Sequence, residues 1–103
     1  MIELYRLGRF IEEPQLENMI QDYLDQVEQI IDSVRKENLL EIGCANGFFL
    51  REVRKYGFKK LYGIEPSRSA VEKAPPDIHP CIYNAVLKPN MFPAEYFDLI
   101  CFF

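Results

Sequence analysis

Apolar positions fall into two rhythms along this chain. From Leu16 onward, Leu16, Met19, Ile20, Tyr23, Leu24, Val27, Ile30, Ile31 and Val34 return at three- and four-residue steps, the period of a helix with one buried stripe. Pro14 suits the first helical turn, Glu17, Asp22, Asp25, Glu28 and Asp32 fill the wet side, and Arg35-Lys36 stand at the carboxyl end. The pattern predicts an amphipathic helix of about five turns lying on one face of a sheet. Its polar face is acidic, whereas a membrane-surface helix carries a basic one. Met1 to Glu13 has no clear period and reads as an irregular or short helical lead.

Past residue 37 the rhythm changes. Leu39, Leu40 and Ile42 form a near-continuous apolar run, which is how a parallel strand covered on both faces reads. Glu41 interrupts it, so this acid either caps the carboxyl end of the sheet or answers a cation or donor. Gly43-Cys44-Ala45-Asn46-Gly47 turns the chain into a second apolar stripe, Phe48, Phe49, Leu50, Val53 and Tyr56, with Gly57 placed to end that helix in the left-handed conformation. Gly43 and Gly47 can take positive φ and let backbone N–H groups approach a ligand, and the dipole of the following helix adds to this. A plain strand-to-helix connection uses the same residues.

The plan then repeats. Leu61-Tyr62-Gly63-Ile64 leads to Glu65, Pro66-Ser67 turns into a short helix around Ser69 to Lys73, and Pro75-Pro76 stops it. Cys81-Ile82-Tyr83 reads as a third strand ending at Asn84-Ala85, and Lys88 to Ala94, with Pro89 and Pro93, as loop. Tyr96 to Phe103 reads as a fourth, very apolar strand. Strands alternating with helices imply parallel pairing through right-handed crossovers in a doubly wound α/β sheet. Ligands of such sheets bind at the carboxyl ends of strands, where Gly43, Glu65 and Asn84 all fall.

Composition changes this picture only at the margins. The 103 residues amount to one domain at most, small for a sheet covered on both faces. A net charge of −4 gives no reason to expect nucleic acid, and Arg51, Arg54, Lys55, Lys59 and Lys60 read as a solvated face. Cys44, Cys81 and Cys101, odd in number and widely spaced, imply reduced thiols in a cytoplasmic protein rather than disulfides or a metal site. His79, the lone histidine, reads as an ordinary strand-edge residue. No stretch approaches the roughly 20 apolar residues of a membrane span, and no signal-peptide order opens the chain.

From Leu39 to Phe103 the chain resembles the first half of a class I S-adenosylmethionine-dependent methyltransferase domain. Glu41-Ile42-Gly43-Cys44-Ala45-Asn46-Gly47 resembles that family's acid followed by G-x-G-x-G, with Ala45 where the middle glycine usually stands. Glu65, eighteen residues past Gly47, falls where the family has the acid that binds the cofactor's ribose. Asn84-Ala85 resembles the adenine-contacting motif and Phe97-Asp98-Leu99-Ile100 the fourth-strand motif.

The resemblance implies a three-layer Rossmann-like fold of about four strands in order 3-2-1-4, with residues 1–36 as lead and helix and 37–103 as the cofactor-binding half. It assigns Glu41, Gly43, Cys44, Ala45, Gly47, Glu65, Pro66, Asn84 and Ala85 to the cofactor. Glu65 would clamp the ribose diol, Glu41 would answer the α-amino group, and Pro66 and Ala85 would face the adenine. For Glu65 a solvated strand-end acid, and for Asn84 a turn-forming side chain, are the structural readings of the same residues. Asp98 reads as structural, at the strand end away from the crevice.

The family's sheet order is 3-2-1-4-5-7-6, so the chain reads as a truncated domain lacking the acceptor half and any residue to be called catalytic. The fourth strand would then offer an open apolar edge for self-association. The acceptor is unspecified, and a non-catalytic cofactor-binding or interaction remnant is the alternative. A nicotinamide-binding dehydrogenase domain shares the glycine turn and the distant acid, but wants a small residue where Phe48 stands and no acid inside the first strand.

Overall fold

The computed structural model describes residues 13–102. The lead at Met1 to Glu12 and the end of the fourth strand at Phe103 therefore lie outside the described residues. Helix α1 spans Glu13–Glu28, and its stripe of Tyr23, Leu24 and Val27 is buried. The helix stops about a turn and a half short of its apolar period. At Ile30 the backbone leaves helical geometry (φ −121°, ψ −5°), and Ile31–Ser33 forms a single 3₁₀ turn. Adjacent β-branched residues are stiff in a helix, and the Ser33 hydroxyl donates to the Ile30 carbonyl at 2.8 Å, bonding backbone that the helix would otherwise use. Lys36 Nζ then donates to the Ile31 carbonyl at 3.0 Å. Ile20, Ile30, Ile31 and Val34 still pack against the core, so the stripe persists where the helix does not.

The remaining elements are β1 (Asn38–Ile42), α2 (Phe48–Val53), β2 (Lys60–Ile64), α3 (Arg68–Glu72), β3 (Ile82–Tyr83) and β4 (Leu99–Phe102). All strand pairs are parallel and the order is β3-β2-β1-β4, as the sequence predicts. Both outer strands are shorter than their apolar runs. Cys81 sits in a 3₁₀ turn, His79–Cys81, so His79 is an exposed turn residue and not a strand edge. Tyr96 and Phe97 precede β4 and belong to the connection before it.

Pleating sorts the side chains into two unlike faces. Leu39, Leu61, Ile82, Leu99 and Cys101 join Phe49, Leu50, Val53, Val71 and the α1 stripe in the main core. On the other face Tyr62 meets Tyr83, Phe92, Tyr96 and Phe97 edge-on or tilted, with ring centroids 5.4–6.3 Å apart. The second covering layer is thus the β3–β4 connection itself, which holds no helix, as Pro89 and Pro93 predict. Asp98 pins its far end, accepting from the Glu37 and Asn38 amides at 3.2 and 3.0 Å, away from the crevice.

The basic cluster is largely neutralised by neighbours. Arg54 and Arg51 face Asp77 at 2.9 and 3.6 Å, and Lys59 faces Glu37 at 3.1 Å, all exposed pairs worth little individually. The Arg54 hydrogen bond holds the Asp77 carboxyl below its ordinary pKa.

Gly63 lies in mid-strand because nothing larger fits. A Cβ there would stand 2.6 Å from Cys44 Sγ and 2.7 Å from Leu50 Cδ1. Gly63→Ala should therefore cost about 1–3 kcal/mol, read as a lower urea midpoint at unchanged slope. The Tyr62 hydroxyl shares a hydrogen bond with Tyr96, which with burial pushes the Tyr62 pKa up to about 12 from 10.0. The unfolded chain ionises first, so stability should fall as pH rises from about 10 to about 12, a slope that alkaline denaturation would show reduced in Tyr62→Phe.

Candidate functional site

The carboxyl ends of β1, β2 and β3 stand side by side, and the turns that leave them form the candidate site. At the end of β1 the amides of Gly43 and Cys44 both donate to the Ile64 carbonyl, at 2.8 and 3.2 Å, extending the ladder past the strand. The chain then reverses through Gly43 (φ 75°), Ala45 (φ 53°) and Gly47 (φ 80°). Gly47 N–H donates to the Cys44 carbonyl at 2.9 Å, and Gly47 itself becomes the cap of α2.

The two glycines do different work. A Cβ on Gly47 would lie 2.9 Å from Ile78 and 3.0 Å from Ile82, so this glycine lets the turn close against the core. A Cβ on Gly43 would meet nothing within 4 Å, so its side of the turn is open. Cys44 points inward, 2% exposed, and burial followed by the nearby Glu41 and Glu65 charges drives its thiol pKa far up. It stays a protonated packing thiol, leaving only its main chain to the turn. Glu41 is the single buried acid of the described residues, 4% exposed, with Cys101 its register partner across β4. Burial and that carboxylate push the Cys101 pKa up as well.

Glu65 is the residue on which the turns converge. Its amide donates to the Tyr83 carbonyl at 3.0 Å, continuing the β2–β3 ladder. One carboxylate oxygen accepts from Ala45 N–H at 2.8 Å, and the other from Ser67 N–H at 2.9 Å. Its carbonyl accepts from Asn84 Nδ2 at 2.9 Å, and the same nitrogen donates to the Pro66 carbonyl at 3.1 Å. Ser67 in turn caps α3, its hydroxyl accepting from the Ala70 amide at 3.3 Å. Of the sequence-predicted site residues, all but Glu41, which lies within β1, are thus on one of the three turns. The Cys44 side chain packs in the core, Glu41 is buried, Pro66 and Asn84 are exposed, and Ala85 is half-buried.

Sequence reading passed over Gly63 and the double duty of Ser67. A glycine inside an apolar strand run is the signal that marks close approach by another atom, here Cys44 Sγ. A serine before a short helix marks a cap. A cavity of about 420 Å³ lined by Pro93, Glu95, Tyr96, Phe97 and Ile100 belongs to the aromatic layer and includes none of the site residues. Among the described residues no helix is long and apolar enough to cross a membrane.

Against known proteins, the sequence pattern of a family described as a methyltransferase domain matches residues 15–103, nearly the whole chain. The chain belongs to this methyltransferase-domain family. No curated protein matches it. The match takes in most of α1 as well as the sheet.

Ala45 carries strain that a glycine would not, because a side chain in the left-handed region costs about 1 kcal/mol or more. Ala45→Gly should therefore raise stability by up to about 1 kcal/mol, checked by thermal or urea unfolding.

Proposed function

We propose that the chain binds S-adenosylmethionine at this crevice and serves as the donor-binding half of a methyl transfer. The observation that carries the reading is the Glu65 carboxylate. It has about four lone-pair sites, of which the Ala45 and Ser67 amides take one on each oxygen. One acceptor site remains on each oxygen, matching the two O–H donors of a ribose diol. The two amides also hold the carboxylate before any ligand arrives, so little ordering cost falls on binding.

The other residues fit the same ligand. Gly43 leaves its side of the turn open, and the main chain of Gly43, Cys44, Ala45 and Gly47 is the surface for the methionine and ribose portion. Pro66 and Ala85 offer apolar contact to an adenine. Glu41, a buried acid at the base of the turn, suits the cationic α-amino group. When bound, the cofactor supplies an electrophilic methyl on a sulfonium, which an acceptor nucleophile takes as the carbon–sulfur bond breaks. The chain's residues contribute alignment, the chief requirement of such a transfer.

The acceptor site belongs to elements beyond this crevice, and a cofactor-binding remnant without transfer activity shares every contact above. Incubation with the methyl donor and candidate acceptors separates those two readings. A nicotinamide cofactor suits the site less well, since Phe48 packs half-buried against the core where that fingerprint wants a small residue. Three free thiols favour a reducing cytoplasmic setting, and β4 at the margin of the described sheet suits self-association.

Calorimetric titration with S-adenosylhomocysteine should give micromolar binding. Glu65→Gln should weaken it by about 1–3 kcal/mol, since a carboxamide offers one oxygen where the diol meets two. Unchanged affinity in that variant removes the ribose clamp, and NADH binding in place of S-adenosylhomocysteine would overturn the cofactor assignment.

A further inference from the structure

Asn84 stands where the resemblance puts an adenine contact, yet its amide faces the protein's own backbone. Both oxygens within reach of its nitrogen are carbonyls, Glu65 at 2.9 Å and Pro66 at 3.1 Å. A carbonyl cannot donate, so the NH₂ end of the amide has to face them, and its two hydrogens match the two acceptors. Nothing of the Asn84 amide is left to donate to a base. Oδ1 alone remains, and it can only accept.

What those two bonds do follows from the chain between them. The β2–α3 turn leaves the sheet at Glu65, and the Asn84 side chain spans nineteen and eighteen residues of sequence to hold its first two carbonyls. On the other side of the same residue, Glu65 N–H is held by the Tyr83 carbonyl. Glu65 is therefore gripped through its amide by Tyr83 at the end of β3 and through its carbonyl by Asn84 just after it, which fixes the direction in which its side chain leaves. That direction delivers one carboxylate oxygen to Ala45 N–H at 2.8 Å, twenty residues away. Ala45 sits in a left-handed conformation that an L side chain disfavours, and the Glu65 bond helps to keep it there. The order of support runs from Asn84 to Glu65 and from Glu65 to the glycine turn.

We infer that Asn84 is a positioning residue, which holds the Glu65 carboxylate for the ligand and for Ala45 by tying down the Glu65 and Pro66 carbonyls, and acts on cofactor affinity through that hold. The inference rests on the proposed cofactor site for its binding consequences, but the bonding order is a property of the chain alone. Asn84→Ala and Asn84→Asp separate the two roles. Aspartate keeps an acceptor oxygen for an adenine amino group and lacks the N–H donors that face the carbonyls.

The test has a ligand-free arm and a ligand arm. In amide NMR spectra of the free protein, Glu65→Ala, which leaves no side-chain acceptor, marks where the Ala45 resonance moves when the carboxylate bond is lost. Both Asn84 variants should move the Ala45 resonance in the same direction; an Ala45 resonance left at its wild-type position overturns the inference. In titrations with S-adenosylhomocysteine, both Asn84 variants should lose about tenfold in affinity, and Asn84→Ala combined with Glu65→Gln should be no weaker than Glu65→Gln alone. Losses that multiply in the double variant, retained affinity in Asn84→Asp, or a loss in Asn84→Ala that disappears when the adenine is replaced by hypoxanthine would each overturn it in favour of base contact. A wild-type protein that does not bind S-adenosylhomocysteine defeats the proposed function, while the Ala45 resonance still decides the brace.

Discussion

The parallel pairing of β1 with β2 on one side and β4 on the other is the constraint from which the site follows. Because the chain leaves β1 toward β2 and returns from β3 to the far side of β1, successive connections diverge at the carboxyl end of β1 and leave a gap between them. Backbone groups there lose their sheet partners and need others. The structure supplies them from neighbouring turns, with Ile64 accepting two amides and Glu65 bonding through its amide, its carbonyl and both carboxylate oxygens. A crevice lined with fixed acceptors is what remains.

The two faces of the sheet are satisfied by different means. On one, helices supply a regular apolar stripe and the core closes tightly enough that Gly47 and Gly63 have no room for a Cβ. On the other, a proline-containing connection lays aromatic rings across Tyr62 and Tyr83, and edge-on ring contact takes the place of helix packing. The smaller number of residues available to a chain of this length is compatible with a covered sheet because large rings cover more area per residue than aliphatic side chains do.

Much of this was legible in the sequence because it depends on periods and punctuation. Strand order, parallel pairing and the placing of Gly43, Glu65 and Asn84 on adjacent turns follow from apolar runs separated by helical stripes. What could not be read was local competition. The apolar period to Val34 says nothing about where Ser33 and two adjacent isoleucines break the helix. The run from Tyr96 gives no sign that its first residues turn onto the sheet face instead of entering β4. Cys44 reads as part of a ligand turn, and only the empty place of a Gly63 side chain shows why its sulfur goes inward. Membership of the methyltransferase-domain family accounts for the motifs, whereas the bonding around Glu65 emerges only from the folded geometry.

The pin at Asp98 has a thermodynamic side. Its bonds to the amides of Glu37 and Asn38 close segments of sixty-one and sixty residues, roughly three times the span joining β1 to β2. Bringing the longer span together costs about 1 kcal/mol more in chain entropy. β4 is thus the strand whose pairing with β1 closes the longest stretch of chain, and a single carboxylate supplies two hydrogen bonds at the point where the strand begins.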